Sequence, residues 1–553
     1  MNLRRTRIAV LLAAAVAVAG PAVLGAAGPA SAADSHTLIQ GSGSSWAANA
    51  VNQWVADVQQ QGIQVVYNPG GDAAGRQDFA NKTSDFAVTS LGYQGRDPLT
   101  GVSDTSQGRD YAYLPIAAGG TAFPYQIKVQ GQQVRNLRLS GETLAKIFTN
   151  RITNWDDPAI TKDNNGHALP SLPIIPVVQS EGSGATWQLT KYFATDYPSI
   201  WTQGPTEYFP RSGNQIAQNG SDGAMNYVSS SEANGAIGYV EYSYALSQNY
   251  PVAKLENKAG YFTLPTQYNV AVSLEKAQIN MDKSSPDYLL QTLTNVYVDP
   301  DPRTYPLSSY VYEIEPTGKY PSPESKITPA KRQTIADFTY YAICQGQHEI
   351  GPIGYSPLPV NLVEAGFGQL QKLKQADPSL DLTERNVTTC NNPTFVAGHP
   401  SENYLAKIAP LPPACDKTGA GPCADGVTAT NTETSNNPGG ASKGTSKGGS
   451  SPAGSPATSG GGAASAPSGG GSAVTTGAGV VTTGGTGAGT AAATGGEVSG
   501  VADQPTTVPA DLAGYRSGHL TSILGPLAAL VLLLVLVVPA VMGVRMTRRR
   551  ELE

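Results

Sequence analysis

Short apolar runs and helical repeats alternate along most of the chain. IQVVYN (63–68), SDFAVTS (84–90), LPIIPVV (172–178) and AIGYV (236–240) are too short for helices and are bounded by polar or Gly/Pro residues. They predict buried strands. Between and after them lie WAANAVNQWVADVQQQ (46–61), SGETLAKIFTN (140–150) and TPAKRQTIADFTYYAI (328–343). In the first of these, Trp46, Ala50, Trp54 and Val58 fall four residues apart, on one face of a helix. The alternation predicts an α/β fold with mainly parallel sheets. A folded part of nearly 390 residues exceeds one comfortable core, so two lobes are expected.

The two ends and one long segment break this pattern. At the start, Arg4, Arg5 and Arg7 precede an apolar run and the small-residue site Ala30-Ser31-Ala32, the layout of a secretory signal peptide, assigned to 1–33. Residues 425–518 collapse to Gly, Ser, Thr, Ala and Pro, too poor in large apolar side chains to form a core, and read as a disordered linker. From Leu520 to Val544 no residue is charged, and Arg545, Arg548, Arg549 and Arg550 follow at once. A transmembrane helix is therefore expected at 519–544 with a cytoplasmic tail at 545–553. The expected product is a single-pass protein of the cell membrane with its folded domain, 34–424, outside.

Charge and cysteine usage fit that placement. The formal net charge is −6, and setting aside the three arginines of 1–33 and the surplus of two positive charges in 545–553 leaves about −11 outside. An acidic exterior argues against nucleic acid as a partner. Cys344, Cys390, Cys415 and Cys423 all fall in the external part, where disulfides persist. Of the three pairings four cysteines allow, Cys344–Cys390 with Cys415–Cys423 is the one expected. Zinc-type spacings are absent, and no metal or other cofactor is expected.

In open α/β sheets ligands sit where strands give way to helices. Four such turns carry hydroxyl groups or glycines: GSGSSW (41–46), GGDAAGRQDF (70–79), SDFAVTSLGY (84–93) and SEGSGATW (180–187). Ser44 or Ser45 is expected to cap the first helix and Ser183 the last. Glycine-rich turns before helices let backbone N–H groups approach an anion, and four of one kind predict a shared polar cleft. Arg76 and Arg96 are read as solvated surface residues. Asp156 and Asp157 are read as a turn that opens a helix. None of the five histidines stands in a catalytic motif, so an enzyme is not expected.

At these turns the chain resembles the extracytoplasmic phosphate-binding protein of the phosphate ABC transporter. The resemblance spans about 36 to 400 and continues through LSGETLAKIFTNRITNWDDPAI, NGAIGYVEYSYA, NKAGYFTLPT, YPLSSYVYEI and PIGYSPLPVNLVE. It implies a two-lobed periplasmic-binding-protein-like clamp of type II. Lobe 1 would cover about 34–117 and 306–424, and lobe 2 about 118–305.

The resemblance also implies a ligand set: Ser44, Ser45, Trp46, Ser90, Gln179, Ser183, Gly184, Ala185 and Thr186. Within it, Gln179 stands where the family has an arginine, Ala185 where it has a threonine, and Ser90 where it has a carboxylate. Ala73 replaces a family serine, with Asp72 beside it. Losing the arginine removes a charge-assisted donor, and losing the carboxylate removes the group that tells protonated phosphate from a fully ionised anion. The expected function is capture of phosphate or a related small polar anion for an ABC transporter permease. The alternative is a surface interaction or sensing protein that re-uses the clamp with a degenerate ligand site.

Overall fold

The computed structural model describes residues 36–96, 101, 103–399 and 402–423. The expected signal peptide, linker, membrane span and tail lie outside these residues. Among the described residues no helix is long and apolar enough to cross a membrane.

The chain begins with β1 (Ile39–Gly43), α1 (Ala48–Gln59), β2 (Val65–Asn68), α2 (Asp72–Ala80) and β3 (Phe86–Thr89), then runs along the long β4 (Tyr111–Ala122). A second region follows with α3 (Gly141–Phe148), β5 (Ile175–Gln179), α4 (Gly184–Asp196), β6 (Ile216–Gln218), α5 (Gly220–Ser229), β7 (Ala236–Ile237), β8 (Val240–Glu241) and α6 (Gln267–Leu274). The chain then returns along β9 (Ser308–Pro316) and ends with α7 (Pro329–Ile343), α8 (Val360–Ala376) and α9 (Tyr404–Ile408).

Two sheets organise these elements. The small one, in the order β6-β5-β7, is parallel throughout. The large one, in the order β8-β4-β9-β3-β1-β2, is not, which corrects the expectation of mainly parallel sheets. Strands β1, β2 and β3 are parallel, but β9 runs antiparallel to both β3 and β4, and β8 antiparallel to β4. The cause lies in the path. Strand β4 leads out to the second region, so the strand that comes back beside it must run the other way. Every residue of β9 is buried, so its hydrophobic pattern carries no mark of direction.

Helix α1 buries Ala50, Trp54 and Val58 as their spacing predicts, and Trp54 Nε1 donates to the Gly346 carbonyl at 3.0 Å. It starts at Ala48, with Ala47 before it and no side-chain cap, so neither Ser44 nor Ser45 caps it. Both serines lie a turn earlier, in the bend between β1 and α1. That bend needs a glycine. Gly43 has φ 140°, and a Cβ on it would meet the Val88 carbonyl oxygen at 2.0 Å. Asp157 caps the short helix Pro158–Asp163, as the reading of Asp156 and Asp157 implies.

The cysteines pair as Cys344–Cys390 and Cys415–Cys423. Residues 402–423 pack back onto the domain. Helix α9 lies against α6, Lys254 meets Asp416 at 2.6 Å, and Arg138 Nη1 donates to the Cys415 carbonyl at 3.0 Å.

Two carboxylates, Glu313 and Glu315, lie on one face of β9 in the core. Thr339 of α7 donates to Glu313 at 3.1 Å. Burial pushes the Glu315 carboxyl up to about 8, against the pull of Thr339 and of the Arg332 and Lys372 charges. A folded-state value above the unfolded one gives stability that is full below about pH 4.5 and lost as pH rises through about 8. Chemical denaturation should therefore show stability falling between about pH 5 and pH 9 by up to a few kcal/mol, and Glu315→Gln should reduce that slope.

Candidate functional site

Five turns meet between the two regions, each following a strand of the sheets. Three come from the large sheet: the bend after β1, the start of α2 after β2, and the end of β3. Two come from the small sheet: the start of α4 after β5 and the start of α5 after β6. Direct hydrogen bonds close them on each other. The Ala73 amide donates to the Gly182 carbonyl at 3.0 Å, and the Ser221 amide donates to Ser45 Oγ at 3.1 Å. A methyl group on Gly184 would lie 2.4 Å from Ser90 Oγ and 2.5 Å from Asp72 Oδ1, so only glycine permits this approach.

The sequence-predicted residues gather here, in different roles. Ser183 caps α4, accepting from the Thr186 amide at 3.1 Å, and its hydroxyl donates to Thr186 Oγ1 at 2.9 Å. Thr186 Oγ1 in turn lies 2.7 Å from the Tyr239 hydroxyl. The amides of Gly184 and Ala185, first in α4, have no partner within the helix and carry its positive end. Ala185 itself is buried and brings no side-chain polar group. Gln179 Nε2 turns to Ser221 Oγ at 3.2 Å and the Tyr239 carbonyl at 3.4 Å.

On the opposite side, Ser44 is fully buried and its Oγ has no partner in the protein. Tyr67 and Tyr244 hydroxyls hold the carbonyls of Ser44 and Ser45 at 2.9 and 2.6 Å. Trp46 turns its ring into the core. Its Nε1 donates to Thr121 Oγ1 at 3.2 Å and its ring packs edge-on to Tyr355, so it braces the bend with its side chain and leaves only its backbone for a ligand. Ser90 donates its amide to Asp72 Oδ1 at 2.6 Å.

Arg76 corrects the sequence reading. It is fully buried, not a solvated surface residue. Its Nε donates to Asp104 at 2.9 and 3.1 Å, Nη1 to Thr89 at 3.1 Å, and Nη2 to Glu207 at 2.8 and 2.9 Å. Burial opposes its charge, but Glu207 and Asp104 outweigh that and hold the guanidinium more firmly protonated than usual. Arg96 is exposed, as expected.

Four residues that the sequence reading did not place in the site belong to it. Asp72 is fully buried, with Oδ2 lacking a protein partner. Its carboxylate lies against Ser90, so the acidic group expected to be missing from the cleft is present, contributed by a different turn. Ser221, Tyr239 and Glu207 complete the set. The signal for Asp72 was its place at the first position of α2, where a carboxylate favours the positive helix end. Ser221, Tyr239 and Glu207 carried no local signal. Among the described residues no cluster of three or more His, Cys, Asp or Glu side chains could hold a metal ion.

Comparison with known proteins bears on this arrangement. Residues 28–345 match the family described as the PBP superfamily domain. A phosphate-binding protein PstS of Methanocaldococcus jannaschii is 28% identical over 360 residues, covering 62% of this chain and 87% of the relative. The phosphate-binding protein PstS of Pasteurella multocida is 31% identical over 330 residues, covering 59% and 88%. Phosphate-binding protein PstS 2 of Mycobacterium tuberculosis is 31% identical over 327 residues, covering 58% and 83%.

The Arg76–Glu207 pair joins the two sides of the cleft in a buried setting. Arg76→Met should cost about 3–5 kcal/mol in denaturant unfolding, because Glu207 is left charged and unpaired. Combining it with Glu207→Gln should recover part of that loss in a double-mutant cycle.

Proposed function

The chain belongs to the PBP superfamily, among the relatives of the phosphate-binding proteins PstS, and from that premise we propose that it captures phosphate outside the cytoplasm for an ABC-type permease. The observation that carries this reading is the meeting of the α4 amino end with buried hydroxyls from the other side of one cleft. A helix start offers N–H groups and a partial positive charge to a tetrahedral oxyanion, and hydroxyls can donate to its remaining oxygens.

In this reading the molecule is a two-lobed clamp, with lobe 1 at about 34–117 and 306–424 and lobe 2 at about 118–305. Gly184 and Ala185 contribute amides. Ser44, Ser45 and Ser90 contribute hydroxyls, Ser183 and Thr186 hold the start of α4 in place, Gln179 lines the wall, and Trp46 fixes the first bend. Ser183 and Thr186 are linked to each other and to Tyr239, so their hydroxyl directions are set before a ligand arrives. That pre-organisation lowers the ordering cost of binding. Direct bonds between the two sides, such as Ser221 to Ser45, belong to the closed state that excludes water from the anion.

We place the clamp on the outer face of the cell membrane, held by the 519–544 span and free to range on the 425–518 linker. Tethering keeps the captured ligand near a permease in the same membrane.

Calorimetric titration of the full-length chain with phosphate tests the reading. A saturable heat is expected, and Ser183→Ala should weaken binding about tenfold, the cost of one lost hydrogen bond and its helix cap. Absence of heat with phosphate would overturn it. The tether has its own test. The full-length chain should sediment with membranes after expression in cells, and deletion of 519–553 should release it to the medium.

A further inference from the structure

The segment 402–423 is seated in two places that lie on different sides of the cleft. Its first seat is on the side of the large sheet. Asn392 Nδ2 and Thr394 Oγ1 donate to the Leu358 carbonyl, just before α8, at 3.0 and 2.7 Å. The Tyr404 amide then donates to the Thr394 carbonyl at 2.8 Å. Helix α9 buries Leu405 and Ala406 against Tyr268, Ala271 and Val272 of α6. Helix α6 itself packs on β4 and β9, and its Gln267 carbonyl accepts from Ser356 Oγ at 2.9 Å.

The second seat is a small sheet made of Arg138–Leu139, Lys254–Glu256 and Phe262–Thr263. It belongs to the second region, since Leu139 leads directly into α3. Residues 415–423, closed by the Cys415–Cys423 disulfide, dock here. Lys254 reaches the buried Asp416 at 2.6 Å, and Arg138 Nη1 donates to the Cys415 carbonyl at 3.0 Å. The Thr418 amide donates to the Gly260 carbonyl at 2.8 Å. Asn165 Nδ2 and Asn136 Nδ2 donate to the carbonyls of Gly421 and Cys423, at 3.0 and 3.3 Å. Chain order assigns 402–423 to lobe 1, but these partners belong to lobe 2.

Between the seats runs Pro410-Leu411-Pro412-Pro413. Proline fixes φ, so this stretch is a stiff spacer of about 3 Å per residue rather than slack chain. Arg303 Nη1 holds the approach to it, donating to the Ala406 and Ala409 carbonyls at 3.0 and 3.4 Å. All of 402–423 lies outside the residues that match the family.

We propose that 402–423 is a strap across the hinge that biases the clamp toward its closed arrangement and slows the release of ligand. The inference rests on the clamp reading given above. Opening the cleft turns one side against the other and changes the separation of the two seats, which a stiff spacer cannot follow. Both seats are filled while the Ala73–Gly182 and Ser221–Ser45 bonds close the cleft. Opening must therefore bend the spacer or empty a seat, so the strap contacts favour the closed form. The second seat refills readily because its occupant is part of the same chain. A ligand enclosed in the cleft leaves only when the sides part, so the strap acts on release without touching the ligand.

The test undocks the strap in the full-length chain by combining Cys415→Ser, Asp416→Ala and Cys423→Ser. A second variant lacks 410–423 and has no strap left to stay docked. Hydrogen exchange read by mass spectrometry follows the peptides carrying Ala73 and Ser221, whose amides bond across the cleft, with α1 as the internal control. Both variants should exchange about fivefold faster at Ala73 and Ser221 with α1 unchanged. Phosphate release in stopped flow should quicken by about the same factor, with little change in association. Unchanged exchange across the cleft in the deletion variant would overturn the inference. An equal rise in α1 would also overturn it, because the segment would then serve general stability only. The exchange measurement needs no ligand, so a chain that gives no phosphate heat loses the phosphate reading while the strap is still decided.

Discussion

The buried guanidinium of Arg76 is the constraint on which the cleft depends. It reaches from α2 to Glu207 on the far side while Asp104 and Thr89 hold it on the near side. A buried ion pair adds little to stability by itself, because desolvation of both charges offsets their attraction. Its value lies in direction. Each donor has a fixed partner, so the pair favours one relative orientation of the two sides. In that orientation the Ala73 amide meets the Gly182 carbonyl and the Ser221 amide meets Ser45.

This use of the cation has a consequence for ligand chemistry. A guanidinium surrounded by two carboxylates and a hydroxyl has little left to offer an anion. Negative charge on a ligand must be met by the α4 dipole and by neutral donors, which are weaker than a bidentate arginine but cost less to desolvate than a charge. Asp72 sharpens the effect. Its position at the start of α2 is favourable to the helix, yet it places a carboxylate beside the same space.

The large sheet makes the site possible. Strand β4 carries the chain away and β9 brings it back, so the central strands of the large sheet are also the links between the regions. Because β9 is buried along its whole length, it can hold the glutamate pair only with those carboxyls kept protonated in the folded state. The strand that joins the two halves therefore carries a part of the core that is sensitive to alkaline conditions.

Much of this was legible in the sequence, for local reasons. Short apolar runs and helical apolar patterns located the strands and helices, a serine before Gly-Ala-Thr announced the cap of α4, and four similar turns after strands pointed to one cleft. The cysteine pairing also followed expectation. What the sequence left open depends on residues distant along the chain. The direction of β9 is silent in a strand buried on both faces. The burial of Arg76 turns on Glu207, more than a hundred positions away, and without that partner an arginine on a helix reads as solvated. Asp72 lies beside Ser90 because β1 brings β2 and β3 together, so a carboxylate judged missing at one position was restored from another. Helices, strands and the cap of α4 were fixed by neighbouring residues, whereas α1 starts without the serine cap expected for it. The pairing of charges across the cleft was decided only when the two regions met, because charge in a protein interior takes its meaning from what surrounds it.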